Sequence, residues 1–424
     1  MSHLRGAPCH DLVPGPIQVC QICGSRRLEQ VIDLGHQPLC DSLPSGLQLR
    51  EPENTYPLCQ VWCRDCTLSQ INYVVRSDIV FHADYPYRTG ITRELSDYQD
   101  SLAHKEILDI GLQKDDFVVD IGSNDGTLLS GFFRRGMRVL GVEPTNIATL
   151  ANENGIKTVQ AFFDEACASQ IVESHGQAKL VTATNVFAHV ADLGKFIRGL
   201  DILLDSDGIF LLENHYLIAV LNGGQFDTIY HEHLRSYSLH SLLALFSYYD
   251  FTLVDAQQVN RYGGNIRAYV RKGRSRPVKG GLTELLQRER DFGLHERGCY
   301  DAFRERAEKA KVDLLRLALK CKEEGKSFVG NSCPGRASTL LNYCGIDSTL
   351  MPYIAEQSTS LKLGLYLPGK HIPIVNNQRL FDEQPEYVVL LAWHYAASIA
   401  QQLRARGLRS RLVIPLPELV ILEG

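Results

Sequence analysis

The sequence predicts an α/β protein. A parallel sheet carries crossover helices on both faces, a small metal-binding lobe precedes it, and a second, smaller α/β domain follows. Three observations support this reading. Between residues 117 and 213, short apolar runs alternate with amphipathic stretches, the rhythm of strands joined by helical crossovers. The first run, Phe117-Val-Val, passes into Asp120-Ile-Gly-Ser-Asn-Asp-Gly-Thr127, a small-residue turn that opens a helix. Such a turn lets backbone approach a nucleoside, and Glu143, closing the next apolar run, suits a ribose diol because one carboxylate satisfies two hydroxyl donors. The third observation is a pair of Cys-x-x-Cys knuckles, Cys20/Cys23 and Cys63/Cys66, whose four thiolates match the tetrahedral preference of structural zinc.

At 424 residues the chain accommodates two or three domains. A formal net charge of -5 leaves no basic footprint for nucleic acid or anionic lipid. Met1 to Pro16 holds no apolar core of signal-peptide length, no run elsewhere approaches membrane-spanning length, and twelve cysteines without a secretion signal fit a reducing compartment better than a disulfide scaffold. The expectation is a cytoplasmic protein without nucleic-acid or membrane partners, of open oligomeric state.

Residues 1–16, with Pro8, Pro14, Gly6 and Gly15 and no periodicity, read as a loose arm. Residues 17–80 form the zinc-binding domain, with turns at Gly35, Pro38, Pro44, Gly46, Pro52 and Pro57 between its two knuckles. Cys40 and Cys59 are spare thiols there. Four protein ligands leave no open coordination position, so this zinc holds structure and does no catalysis. Residues 81–272 form the sheet domain. A helix from Thr92 places Leu95, Tyr98, Leu102 and Ile107 at helical spacing. Strands are expected over 117–121, 138–142, 179–184 and 208–213, with helices over 127–135, from Asn146 and over 241–249. Two last strands, 251–256 and 265–271, flank Gly263-Gly264 and make an antiparallel ending, the ending of the class I methyltransferase fold. Residues 273–424 form the last domain. It begins with a linker at 273–277 and a helix over 299–324. A strand from Ser327, strands over 387–393 and 411–415 and a helix over 398–405 follow. Its own turn, Gly330-Asn-Ser-Cys-Pro-Gly-Arg336, opens a helix whose N-terminus and arginine suit a pyrophosphate.

Beyond the strand ending at Glu213 lies Tyr230-His-Glu-His233, at the carboxyl side of the sheet, where open α/β folds bind ligands. A histidine near neutrality is a general base, a carboxylate can fix its tautomer, and a phenol can hydrogen-bond a developing oxyanion. Asn185 and His189 point toward the same region from the strand before. A metal-binding His-x-His and a merely structural polar loop are the competing readings.

Together, these motifs resemble the sugar C-methyltransferases of deoxysugar pathways. The resemblance rests on Cys20-x-x-Cys23, Cys63-x-x-Cys66-Thr-Leu-Ser-Gln, Asp120-Ile-Gly-Ser-Asn-Asp-Gly-Thr, Asn185-Val-Phe-Ala-His189-Val and Tyr230-His-Glu-His233-Leu. Arg261-Tyr-Gly-Gly-Asn-Ile-Arg267 and Leu367-Pro-Gly-Lys-His-Ile-Pro-Ile374 extend it over nearly the whole chain after Ile17. It implies a zinc-binding N-terminal domain, a central S-adenosylmethionine domain and a C-terminal domain that helps hold a nucleotide-linked keto-sugar. The activity implied is methylation of a ring carbon, typically C3, of an NDP-4-keto-deoxysugar. His233 would be the base, supported by Tyr230, Glu232 and His189. Asp120, Gly122, Ser123, Asn124, Asp125, Gly126, Glu143, Phe162, Asn185 and Tyr87 would serve the cofactor, with Glu143 on the ribose and Phe162 at the adenine edge. Asn265, Arg267, Gly335, Arg336 and His371 would serve the substrate. One departure stands out: at the second turn the family pattern ends in Lys-Gly, where this chain has Arg336-Ala. An O- or N-methyltransferase on a similar substrate and a non-catalytic binding protein are the alternatives.

Overall fold

The computed structural model describes residues 12–80, 90 and 93–424. At its centre lies a seven-stranded sheet in the order Phe251–Val259, Asn265–Lys272, Leu204–His215, Ala178–Thr184, Phe117–Ile121, Arg138–Val142, Thr158–Val159. The last five strands of that order are parallel to one another, and Phe117–Ile121 within them is buried over its whole length. Asn265–Lys272 pairs antiparallel with both of its neighbours, so the final strand slots inside the edge strand Phe251–Val259. The antiparallel ending read from the sequence is therefore present, with the hairpin turned inward. Crossover helices start on identifiable caps: Asp164 accepts from the Cys167 amide, Asp192 from that of Lys195, and Ser238 forms a capping box with Ser241.

From Phe117–Ile121 the chain builds outward through two strands and then returns to Ala178–Thr184 on the other side. The carboxyl ends of these two adjacent strands diverge, leaving a crevice between the turn after Ile121 and the loop after Thr184. Gly122 has φ +69°, and any side chain there would collide with Val186 across that crevice. Glycine is required at this point.

The N-terminal lobe is a four-stranded antiparallel sheet in the order Arg235–Ser236, Ser69–Ile71, Tyr56–Cys63, Leu28–Gln37. Its first strand comes from far along the chain, two residues after His233. Thr67 and Ser238 add a buried hydroxyl pair at 2.6 Å across the same seam.

The C-terminal segment holds a six-stranded sheet in the order Ile374–Asn376, Ile354–Glu356, Phe328–Asn331, Tyr387–Leu390, Arg411–Ile414, Val420–Leu422. Only the last strand is antiparallel to its neighbour. A second switch point lies between Phe328–Asn331 and Tyr387–Leu390, where the turn before Gly335 meets residues 391–395. The helix Arg297–Glu323 buries Tyr300, Phe303, Ala307, Ala310, Leu314, Ala318 and Cys321, a single face at helical spacing. Tyr300 stacks on Trp62 of the N-terminal lobe at 4.4 Å. The helix Gly280–Phe292, unforeseen in the sequence, carries Glu289, whose buried carboxylate accepts from the Leu239 and His240 amides.

Candidate functional site

A cavity of about 810 Å³ opens along the central crevice and runs to the second switch point. Asp120, Gly122, Ser123, Asn124, Glu143, Phe162 and Asn185 line one end; His189, His215, Tyr230, Glu232 and His233 line the middle. Gly335, Arg336, Glu356, Lys362 and His394 close the far end.

At the first end, Glu143 Oε2 accepts from the Asn124 amide at 3.0 Å, and Oε1 accepts from the Thr145 amide and hydroxyl at 2.9 and 2.7 Å. The carboxylate so fixes the turn, with lone pairs left for a diol. Asp120 accepts from the Thr182 hydroxyl at 2.6 Å, and burial pushes its carboxyl up to about 7. Asp125 and Gly126 do not line the cavity. Asp125 accepts from the Gly90 amide at 2.7 Å and holds Thr127, while Gly126 is the left-handed residue that starts the helix. Tyr87 lies outside the described residues. A turn of this shape, a strand-end acid and an apolar rim at Phe162 fit a nucleoside with a free ribose diol.

In the middle, His233 Nδ1 is 2.7 Å from the Thr228 carbonyl and Nε2 is 2.9 Å from the Tyr230 hydroxyl. A carbonyl can only accept, so Nδ1 carries the proton and the Nε2 lone pair accepts from Tyr230. The tautomer is thereby fixed. His189 and His215 flank His233 at ring-centroid distances of 4.9 and 5.1 Å. Burial holds the His233 imidazole well below the usual histidine range, with its two histidine neighbours and Arg336 adding to the effect. Burial likewise brings His189 to about 4 and His215 to about 3. The cluster is therefore neutral at physiological pH. Glu232 accepts from the Cys40 thiol at 3.1 Å, while the two nitrogens of His233 meet the Thr228 carbonyl and the Tyr230 hydroxyl, so the backbone of Thr228 orients the imidazole.

Of the sequence-derived substrate residues, Gly335 and Arg336 line the cavity, whereas Asn265, Arg267 and His371 do not. Arg267 is buried beneath it, donating to Glu213 at 2.9 and 3.0 Å, to Glu106 at 3.1 Å and to Tyr98 at 2.9 Å. Asn265 donates to Glu213 and to Asn185, both at 3.1 Å, and so reaches the cavity wall only through Asn185. His371 pairs with Glu53 at 2.9 Å near the surface. His215, His394 and Lys362 were missed in the sequence. His215 ends the central strand two residues past Glu213, and His394 follows a strand of the second sheet; a search of strand ends would have found both.

The thiols of Cys20, Cys23, Cys63 and Cys66 all lie within 4.8 Å of one another, with Cys20–Cys66 at 3.5 Å and Cys23–Cys63 at 3.6 Å. A tetrahedral zinc tetrathiolate places its sulfurs roughly 3.8 Å apart. The donor set fits zinc and leaves no open position.

Family models match in three blocks: a zinc-binding domain over residues 20–81, a methyltransferase domain over 88–256 and a C-methyltransferase C-terminal domain over 260–417. The chain is 33% identical over 408 residues to C-methyltransferase NovU from Streptomyces niveus, covering 95% of this chain and 96% of that one. Among solved structures it resembles magnesium protoporphyrin IX methyltransferase from Synechocystis PCC 6803 with bound SAH. That match is at 13% identity and TM-score 0.33, over 42% of this chain and 83% of the other. An S-adenosylmethionine-dependent methyltransferase from Clostridium acetobutylicum ATCC 824 matches at 12% identity and TM-score 0.32, over 42% and 92%.

Proposed function

The chain belongs to the C-methyltransferase family and uses S-adenosylmethionine, and on that premise we propose that it methylates C3 of an NDP-4-keto-deoxysugar through an enolate. The observation that carries the proposal is His233: a neutral imidazole of fixed tautomer, its basic nitrogen in the cavity between the cofactor turn and the C-terminal wall. A carbon acid beside a ketone needs such a base and preorganised donors aimed at the developing oxyanion.

In the proposed step His233 Nε2 takes the C3 proton, and the C–H electrons move through C3 and C4 onto the carbonyl oxygen. Nδ1 stays held by the Thr228 carbonyl, which stabilises the imidazolium. The Tyr230 hydroxyl occupies in this structure the place at Nε2 that the C3 proton takes when the sugar enters, and so keeps the ring oriented beforehand. His189, packed against His233, adds bulk without charge. Glu232 and Cys40 anchor the loop to the N-terminal lobe. Glu143 and the Gly122–Asn124 turn hold the cofactor ribose, with Phe162 at the rim. When bound, S-adenosylmethionine supplies the methyl group as an electrophilic sulfonium. The sugar nucleotide extends toward Gly335, Lys362 and Glu356.

The test is exchange of C3 in deuterated buffer together with the variant His233→Asn. Wild type should wash deuterium into C3 and form a carbon-bound methyl, while H233N should bind S-adenosylmethionine normally and do neither. A methyl found on oxygen or nitrogen, the readings left by an O- or N-methyltransferase, would overturn C-methylation of the sugar. Near-normal turnover in H233N would remove it as the base.

A further inference from the structure

Enolate formation puts a full negative charge on the 4-oxygen; the proton taken from C3 makes His233 an imidazolium on the C3 side, and His189 and His215 stay neutral. Among the described residues, the cations lining the cavity are Lys195, Lys362 and Arg336. Two of them are tied to carboxylates: Lys195 to Asp192 at 3.1 Å, and Lys362 to Asp41 at 3.1 Å and to the Cys333 carbonyl at 2.9 Å. Arg336 is arranged differently. Its partner carboxylate, Asp227, stands back at 3.7 Å and accepts a hydrogen bond of 2.7 Å from the Trp393 indole. The guanidinium packs over the Trp393 ring at 5.4 Å, and Nη1 donates to His394 Nδ1 at 3.1 Å. The side chain is thus anchored on a buried acid, an indole and an imidazole, with its remaining N–H groups unclaimed by any hydrogen-bond acceptor among the described residues.

The turn that carries Arg336 suggested a pyrophosphate contact. Long-range packing sends the side chain elsewhere. Asp227 sits on the segment leading to Tyr230 and His233, so its ion pair draws the guanidinium toward the catalytic loop. The Tyr230 hydroxyl, released from His233 Nε2 when the sugar enters, is the other donor in reach, and it is a neutral one.

We propose that Arg336 is a catalytic residue that donates to the 4-oxygen of the sugar and stabilises the enolate, rather than a ligand of the diphosphate. The inference rests on the enolate reading above. Two N–H groups of one guanidinium can face one developing oxyanion at fixed geometry, whereas the lysine of the family pattern acts as a point charge. Asp227 and Trp393 are positioning residues for it.

The test uses Arg336→Met and Arg336→Lys in the full chain, with S-adenosylmethionine affinity as the check on folding. C3 deuterium exchange at saturating sugar nucleotide should fall by about 10²- to 10³-fold in R336M and recover in part in R336K. Binding of thymidine diphosphate and uridine diphosphate, which lack the sugar, should stay within about twofold of wild type in both. The opposite pattern, diphosphate affinity lost with saturated exchange intact, overturns the assignment and returns Arg336 to the phosphates. If R336M unfolds, R336K alone decides, because it keeps the charge against Asp227. Absence of exchange in wild type would instead sink the enolate reading, and this inference with it.

Discussion

Replacing Arg267 by Met keeps an aliphatic stem of similar length and removes the cation from beneath the active site. The guanidinium lies between Glu213 and Glu106, whose side chains are 1% and 0% exposed. Glu213 would keep Tyr98 and Asn265, and Glu106 would keep Tyr269, but among the described residues the one ion pair left to the two buried carboxylates would be that of Glu106 with the exposed Lys105. Removing one partner of a buried ion pair costs about 3–5 kcal/mol. Urea unfolding of both proteins at pH 7 reads the difference directly. A loss under about 1 kcal/mol would refute this account of the network.

Two further outcomes are expected. Because burial depresses the His233 imidazole, its neutral form persists into acid, so kcat/KM should stay flat between about pH 8 and about pH 6. An acid limb at the ordinary histidine value of about 6.5 would show that the base is exposed or is another group. Stripping the metal with a strong chelator should unfold the N-terminal lobe, read as loss of the near-ultraviolet signal of Trp62 stacked on Tyr300, with zinc restoring it. A lobe unchanged after metal removal would dismiss the tetrathiolate site.

What the sequence made legible divides along local and long-range lines. The central strands Phe117–Ile121, Arg138–Val142 and Ala178–Thr184 were readable because each carries a short apolar run that is mostly buried. The zinc ligands were readable because chelation imposes a spacing on the chain. Strands such as Arg235–Ser236, Ile354–Glu356 and Ile374–Asn376 are two or three residues long and exist only through their partners, so no periodicity announces them. The same limit governs the site. The Asp120–Thr127 turn and the Tyr230–His233 motif are local signatures. The destinations of Arg267 and Arg336 depend on Glu213, Glu106 and Asp227, which are distant in sequence. The family resemblance assigns Arg267 to the substrate and its own turn assigns Arg336 to a pyrophosphate, but both side chains are placed by carboxylates that neither signal reveals.

The strand Arg235–Ser236 joins the zinc lobe two residues after His233, with Thr67 and Ser238 paired beside it. The zinc lobe and the loop bearing His233 are therefore joined through one sheet although they lie far apart along the chain. Chelators should slow turnover even though the zinc touches no reacting atom, so inhibition kinetics alone would mimic a metalloenzyme. For engineers who recombine modules to change the acceptor, the smallest transplantable unit is the N-terminal lobe together with the loop bearing His233. A graft cut at the apparent boundary between lobe and sheet would separate the proposed base from the β-ladder that follows it two residues later.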